Sequence, residues 1–206
     1  MLVVYNKAKE HFKKVDTILH KASVEFDIEN LSPSKDLFTD IVWTIIGQQL
    51  SGKAADTIFG RFRKLFPLGK VTAKKILTLT DEKMRSAGLS GAKARAVKSL
   101  AEHVVSGKIK MNKIGGLSDA EVMDELTQVK GIGPWTAQMI LMFSLARTDI
   151  FSKGDLGLRK GLMLLYGMKN PPNEKKIDSI TTLWSPWRTY AARVLWRVAD
   201  KAKEKK

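Results

Sequence analysis

Two elements of the sequence combine residue types and a spacing that suit chemistry on a nucleic-acid backbone. The first is the Gly-Ile-Gly-Pro run at 131–134, between two apolar segments of helical periodicity, and the second is Asp155, 20 residues after Trp135. Glycines accept positive φ and expose backbone N–H groups, so a Gly-x-Gly turn before a helix suits a bound phosphate. A carboxylate one helix further on suits chemistry beside that phosphate. Together the two elements predict an enzyme that holds a DNA backbone and attacks one nucleotide.

Each element also has a purely structural interpretation. A Gly-x-Gly run is common as an ordinary tight turn between packed helices. Asp155 precedes Leu156 and a helical apolar pattern, so it is equally suited to cap that helix. Capping and catalysis are compatible, because a carboxylate fixed at a helix N-terminus can still turn its other oxygen toward a cleft.

The composition favours a polyanionic partner and excludes several kinds of site. Among 206 residues, 36 are Lys or Arg and 21 are Asp or Glu, which gives a net charge of +15. Such an excess is typical of nucleic-acid binding, although it also serves solubility alone. The sequence contains no cysteine, which excludes disulfides, thiolate zinc sites and cysteine-ligated iron–sulfur clusters. Its three histidines form no pair at metal-ligand spacing.

The apolar periodicity predicts an all-α fold. No stretch alternates with a period of two, and no apolar run approaches the ~20 residues that span a bilayer. Short helices are predicted over 72–79 and 81–87, a final pair over 173–183 and 186–203, and a solvated tail over 201–206. We expect a single compact unit over 1–206, with approximate lobes formed by 37–116 and by 1–36 plus 117–206. The second lobe would contain the hairpin, 126–141, and the Asp155 segment.

Three sequence blocks, in order, resemble the helix-hairpin-helix (HhH-GPD) DNA glycosylase superfamily. Within it they are most similar to the alkylated-base branch, the 3-methyladenine DNA glycosylase II type. The first block is Ile-Ile-Gly-Gln-Gln-Leu-Ser-Gly-Lys-Ala-Ala at 45–55, and the third is Trp-Ser-Pro-Trp-Arg-Thr-Tyr-Ala-Ala at 184–192. The second is Leu-Thr-Gln-Val-Lys-Gly-Ile-Gly-Pro-Trp-Thr-Ala at 126–137, followed by Asp-Ile-Phe at 149–151 and Gly-Asp-Leu at 154–156. The resemblance spans about residues 37–197 and implies the HhH-GPD fold, two helical lobes with the hairpin at the cleft.

The resemblance also implies an activity, base excision repair of double-stranded DNA that contains damaged bases. The enzyme would flip an alkylated purine, of the 3-methyladenine or 7-methylguanine type, and hydrolyse its N-glycosidic bond. Asp155 would stabilise the positive charge that develops on the sugar and orient the attacking water. Two alternatives stay open: a glycosylase for deaminated or mismatched bases, and a non-catalytic DNA-binding module. The resemblance places the protein inside the cell at DNA, in the cytoplasm or nucleoid of a prokaryote or the nucleus of a eukaryote.

Further site residues follow from the same resemblance. The wedge that fills the gap left by the flipped base, with its minor-groove neighbours, would be Gln49, Leu50 and Ser51. The base pocket would be lined by Trp135, Met139 and Trp196, and the hairpin would bind phosphate through Lys130, Gly131, Gly133 and Thr136. Backbone carbonyls of Thr127, Val129 and Gly131 would ligate a structural monovalent cation, Na⁺ or K⁺. The alternatives are a polar helix end at 49–51 with Leu50 packed below, and core packing for the tryptophans, preferred for Trp184 and Trp187.

Departures from the family pattern exclude some of the activities and additional parts that other members of the family have. Bifunctional relatives carry a Schiff-base lysine where this chain has Trp135, so we expect a monofunctional enzyme without abasic-site lyase activity. The cysteine loop of the iron–sulfur relatives is absent. About 36 residues precede the region of resemblance, which begins near residue 37, and these are too few for the N-terminal β domain of some relatives. We therefore expect a compact, monomeric enzyme that requires no cofactor.

Overall fold

The computed structural model describes residues 3–204, and all regular elements in this range are helical. This confirms the all-α prediction. The α-helices are α1 (Val3–Val15), α2 (Thr17–Glu25), α3 (Leu37–Gly47), α4 (Gly52–Arg63), α5 (Ala73–Leu77), α6 (Asp81–Ser86), α7 (Gly91–Val105), α8 (Met111–Ile114), α9 (Asp119–Thr127), α10 (Pro134–Met139), α11 (Leu156–Leu165), α12 (Glu174–Thr181) and α13 (Arg188–Glu204). Short 3₁₀ segments lie at Pro67–Gly69 and Thr182–Trp184, and a π-helical turn at Ile140–Ser144 continues α10. None of the described helices is long and apolar enough to cross a membrane.

The chain divides into two compact units. The middle unit is Pro33–Leu145, and the terminal unit comprises the chain up to Ser32 and from Ala146 onward. The hairpin therefore lies in the middle unit, whereas the sequence analysis grouped it with the terminal helices. The physical reason is that its turn packs on α7, where Gly131 approaches Ala96 too closely for any side chain.

The terminal unit is built around the close approach of α11 and α13. A Cβ at Gly161 would lie 2.5 Å from the Leu195 carbonyl oxygen, so glycine is what allows the two helix backbones to touch. In the same unit Trp184 is fully buried, as predicted, while Trp187 is half-buried and packs edge-on against Tyr190. This packing fixes the relation between the start of α11 and the middle of α13.

Two predicted elements of the terminal unit have different ends in the structure. Helix α12 stops at Thr181, before the 3₁₀ turn, and α13 begins at Arg188, after a cis Ser185–Pro186 peptide. Helix α13 continues through Glu204, so most of the predicted tail is helical, and residues 205–206 lie outside the described part of the chain.

The middle unit packs α3 and α7 into a common apolar core. The core face of α3 follows the predicted three-to-four spacing, with Ile41, Val42, Ile45 and Ile46 buried. The short helices α5 and α6 fall within the predicted ranges, capped by Thr72 and Thr80. Helix α9 begins at a Ser118 capping box, and Pro134 occupies the first turn of α10.

Candidate active site

Asp155 is fixed at the N-terminus of α11, as the sequence predicts for a cap. Only 9% of the residue is exposed. Its Oδ1 accepts hydrogen bonds from the Leu158 N–H at 2.8 Å and from the Trp196 indole Nε1–H at 3.0 Å. Both donors and the positive end of the helix stabilise negative charge on this carboxylate and hold its plane in one orientation.

The contact between Trp196 and Asp155 depends on a glycine that the sequence analysis did not single out. A Cβ at Gly157 would lie 3.0 Å from Trp196 Cδ1 and 3.1 Å from Asp155 Oδ1. Gly157 sits in the first turn of α11, and Trp196 reaches it from α13. The structure thus gives Trp196 a positioning contact in addition to its predicted role in the base pocket, which stays a prediction.

The segment that leads into Asp155 is tied to the start of α13. The Asp149 carboxylate accepts hydrogen bonds from Arg188 Nε at 2.7 Å and Nη2 at 3.0 Å, and from Ser185 Oγ at 2.8 Å. Burial raises the pKa of Asp149, but the Arg188 and Ser185 hydrogen bonds outweigh it and leave the pKa below its usual range. Thr189 connects the same two segments, because its hydroxyl donates a hydrogen bond to the Arg147 carbonyl at 2.7 Å. The Asp-Ile-Phe segment at 149–151 therefore contacts the third sequence block, and this contact holds the segment that leads into Asp155.

In the hairpin between α9 and α10, one of the two glycines has the positive φ that a Gly-x-Gly turn allows. Gly131 has φ +91°, and a Cβ there would lie 2.6 Å from the Ala96 Cβ, so only glycine fits. Gly133 has φ −91° and serves instead as the N-cap of α10, where it leaves the first N–H groups uncovered by a side chain. Lys130, Gly131 and Gly133 are exposed. The predicted phosphate contact is therefore compatible with the exposure of these three residues.

Gln48 links the first sequence block to the hairpin. Its Nε2 donates to the Gly131 carbonyl at 2.9 Å and to the Thr136 hydroxyl at 3.0 Å. Thr136 is buried, so its side chain is engaged within the protein. Any phosphate contact by Thr136 would therefore use its backbone N–H.

The predicted wedge lies on the loop between α3 and α4. Gln49 is exposed and has φ +58°, a left-handed conformation that is uncommon for a residue with a side chain and is often found at functional sites. Ser51 caps α4, with Oγ accepting from the Ala54 N–H at 3.4 Å. Leu50 is 38% exposed rather than packed below its neighbours. Gln49 and Leu50 are thus both exposed on this loop, and the wedge role of Gln49 stays a prediction.

Two of the three predicted pocket residues line one cavity of the middle unit. This cavity, which we call the aromatic cavity, has a volume of about 600 Å³. It is lined by Asp40, Trp43, Thr44, Gly47, Gln48, Leu50, Gly52, Ala55, Trp135, Met139, Phe143 and Ser144. Trp135 and Met139 belong to it, as does Leu50, the neighbour of the predicted wedge Gln49, whereas Trp196 lies in the terminal unit.

The predicted cation site stays a prediction. The Val129 carbonyl accepts the Ile132 N–H at 3.0 Å, and the Gly131 carbonyl accepts the Gln48 amide at 2.9 Å. A carbonyl oxygen has two lone pairs, so each can still offer one to a cation, as can Thr127 at the end of α9. Among the described residues no cluster of three or more His, Asp or Glu side chains could hold a metal ion.

Sequence reasoning missed several lining residues that a finer periodicity analysis could have found. Asp40, Trp43 and Gly47 recur at i, i+3 and i+7, on a face of α3 away from its buried stripe. A tryptophan and a carboxylate on one exposed helix face are a recognisable signal. Phe143 gave no such signal, because it lies in the π-helical turn and is therefore out of α-helical register with α10.

Comparisons with known proteins agree with this geometry. A family model described as HhH-GPD superfamily base excision DNA repair protein matches residues 42–188. The chain is 35% identical over 170 residues to DNA-3-methyladenine glycosylase 1 of Schizosaccharomyces pombe, a match that covers 82% of this chain and 75% of that protein.

Two solved structures share the fold over nearly the whole chain. A DNA-3-methyladenine glycosidase from Bacillus halodurans has a TM-score of 0.82 and 33% identity, covering 95% of this chain and 89% of its own. The Schizosaccharomyces pombe 3-methyladenine DNA glycosylase in complex with abasic DNA has a TM-score of 0.82 and 34% identity, covering 93% and 95%.

Proposed function

Because this chain belongs to the HhH-GPD superfamily of base excision DNA repair proteins, we propose that it is a monofunctional DNA glycosylase for alkylated purines. Its substrates are 3-methyladenine and 7-methylguanine in duplex DNA. The relatives that are named DNA-3-methyladenine glycosylase support this substrate class. The observation that carries the proposal is the carboxylate of Asp155, oriented by Leu158 and Trp196 at the start of α11.

The reaction breaks one bond with the help of that carboxylate. An alkylated purine carries positive charge, so its bond to C1′ is already weakened, and the base departs as a neutral molecule with the bonding electron pair. The sugar develops oxocarbenium character, and the negative charge of Asp155 stabilises this positive charge electrostatically. Water then adds to C1′ and loses a proton, which leaves an abasic site.

The flipped base is held by the aromatic cavity, and the DNA backbone by the hairpin. Trp135 is 42% exposed, so its indole can stack on an incoming base. Stacking an electron-rich indole on a cationic purine contributes about 1–2 kcal/mol. Gln49, whose backbone is in the left-handed conformation, fills the gap that the flipped base leaves in the duplex. Lys130 and the backbone N–H groups around Gly131 and Gly133 bind a phosphate.

The chemistry ends at the abasic site. A lyase step needs an amine that forms a Schiff base with the sugar, and position 135 carries an indole instead. The protein acts as a monomer. The hairpin carbonyls of Thr127, Val129 and Gly131 would hold a monovalent cation, which would stiffen the turn and take no part in bond breaking.

The test is base release from methylated duplex DNA by wild type, Asp155→Asn and the control Asp200→Asn. Asp200 is exposed on α13 and pairs with Lys203 three residues on, so its loss changes the charge equally. We expect 7-methylguanine from wild type and control, a loss of about 10²–10³-fold for Asp155→Asn, and strand breaks only after alkali.

Other outcomes would change the proposal. Equal release by Asp155→Asn would remove the catalytic role of this residue. Strand breaks without alkali would contradict the monofunctional assignment, and salt-sensitive binding without any release by wild type would support a DNA-binding module.

A further inference from the structure

The aromatic cavity concentrates the exposed aromatic surface of the molecule. Across the described residues, three aromatic residues are at least 40% exposed, namely Trp43 at 40%, Trp135 at 42% and Phe143 at 43%. All three line this one cavity. Exposed aromatic rings gathered in a concave site are suited to bind a flat ligand by stacking, and their faces attract positive charge.

One of these rings is fixed in place before any ligand binds. The Trp43 Nε1–H donates to Asp56 Oδ1, on α4, at 3.0 Å. Trp43 therefore offers a preset stacking surface, and the loss of side-chain entropy on binding is small. Trp43 lies outside the three sequence blocks that carry the family resemblance.

The charge of the cavity wall is opposite to that of the protein. The chain carries a net charge of +15, yet no Lys or Arg is among the described residues that line the cavity. The one lining residue with a formal charge is Asp40, half-buried on α3. Within the described chain, no hydrogen bond or ion pair engages its carboxylate, while its backbone carbonyl accepts the Thr44 hydroxyl at 2.8 Å. The Asp40 carboxylate is thus available to a ligand in the cavity.

We propose that Asp40 is a specificity-determining residue that makes the aromatic cavity select positively charged bases. The inference rests on the proposed function and assigns a residue to the choice of substrate. Asp40 lies one turn before Trp43 on the same face of α3, so a base stacked on Trp43 feels the negative charge. A cationic 7-methylguanine is stabilised by it, whereas a neutral purine gains nothing.

The size of the effect follows from the dimensions of the cavity. A spherical volume of about 600 Å³ is about 10 Å across, so a base inside it lies within about 12 Å of Asp40. At an effective dielectric constant near 20, one unit charge at about 12 Å changes an equilibrium about tenfold. Each unit of charge at position 40 should therefore change the occupancy of the cavity by a cationic base, and with it the single-turnover release rate, by up to about tenfold.

The experiment is a charge series at position 40, with single-turnover release of 7-methylguanine from duplex DNA as the readout. We expect Asp40→Glu to stay within about threefold of wild type, Asp40→Asn to fall about tenfold and Asp40→Lys about a hundredfold. Affinity for an abasic duplex should not fall along the series, because no base occupies the cavity in that complex and added positive charge does not weaken binding to the phosphate backbone. Asp124→Lys, at an exposed site that does not line the cavity, makes the same change of net charge and should release at the wild-type rate.

The outcomes separate this inference from the proposed function. A wild-type rate in Asp40→Asn and Asp40→Lys, or a parallel loss of abasic-duplex affinity, would overturn the inference and leave the glycosylase standing. Absence of release by wild type would refute the proposed function, and the inference with it. If Asp40→Lys does not fold, the release rates with Asp, Glu and Asn at position 40 are sufficient to test the inference.

Discussion

Replacing Gly157 by alanine tests whether the spacing of Trp196 and Asp155 sets the rate of base release. The added Cβ would lie 3.0 Å from Trp196 Cδ1 and 3.1 Å from both Trp196 Nε1 and Asp155 Oδ1. All three contacts belong to the hydrogen-bonded pair itself. Since Gly157 lies in a helix and its φ is not positive, alanine adopts its backbone conformation without strain.

The structure sets different magnitudes for stability and for activity. Ordinary van der Waals contact begins near 3.4 Å, so Trp196 and Asp155 must separate by a few tenths of an ångström. Helix propensity favours alanine over glycine by about 1 kcal/mol, which offsets part of an overpacking cost of about 1–3 kcal/mol. We therefore expect the free energy of unfolding to change by less than about 2 kcal/mol. Displacement of a catalytic carboxylate by this distance should slow release about 10- to 100-fold.

The assay is single-turnover release of 7-methylguanine at saturating enzyme, with urea unfolding and abasic-duplex affinity measured on the same preparations. Gly60→Ala is the matched control, because Gly60 is also helical and a Cβ there has no heavy atom within 4 Å. The control should gain up to about 1 kcal/mol of stability and keep its release rate.

One result would refute the reasoning directly. If Gly157→Ala folds with near-wild-type stability and releases base at the wild-type rate, then the contact between Trp196 and Asp155 does not position the catalytic carboxylate.

Two other predictions follow from the hairpin and from the segment before Asp155. Gly131→Ala should destabilise the protein by about 2–4 kcal/mol in urea unfolding, because it combines a positive φ with a Cβ only 2.6 Å from that of Ala96. The second substitution Ala96→Gly should recover part of that loss but not all of it, and full recovery would show that the backbone conformation costs nothing. Because the folded-state pKa of Asp149 is lowered, its ionised form stabilises the protein above the usual aspartate range, and this contribution disappears as the pH falls through the lowered value. Asp149→Asn should therefore be less stable than wild type at pH 7 and approach it at acid pH in unfolding titrations, whereas a constant difference at all pH values would contradict the Arg188 pairing.

The sequence determined the helical class, the caps and the position of the carboxylate. Three-to-four spacing of apolar residues on α3 and the glycine and proline at 133–134 act within one helix or turn, so local rules suffice to predict them. Asp155 as the cap of α11 is local in the same sense, since its partner Leu158 lies three residues away. Predicting these features therefore requires no information about distant parts of the chain.

Tertiary structure decided which residues surround these local features. Trp196 reaches Asp155 across 41 positions, and Gln48 reaches Thr136 across 88, through contacts that no periodicity encodes. The cavity that joins Asp40 on α3 to Phe143 exists only once α3 and the π-helical turn pack together. Side-chain chemistry at one position can be read from the sequence, but proximity between distant positions arises from packing, which the whole core determines at once.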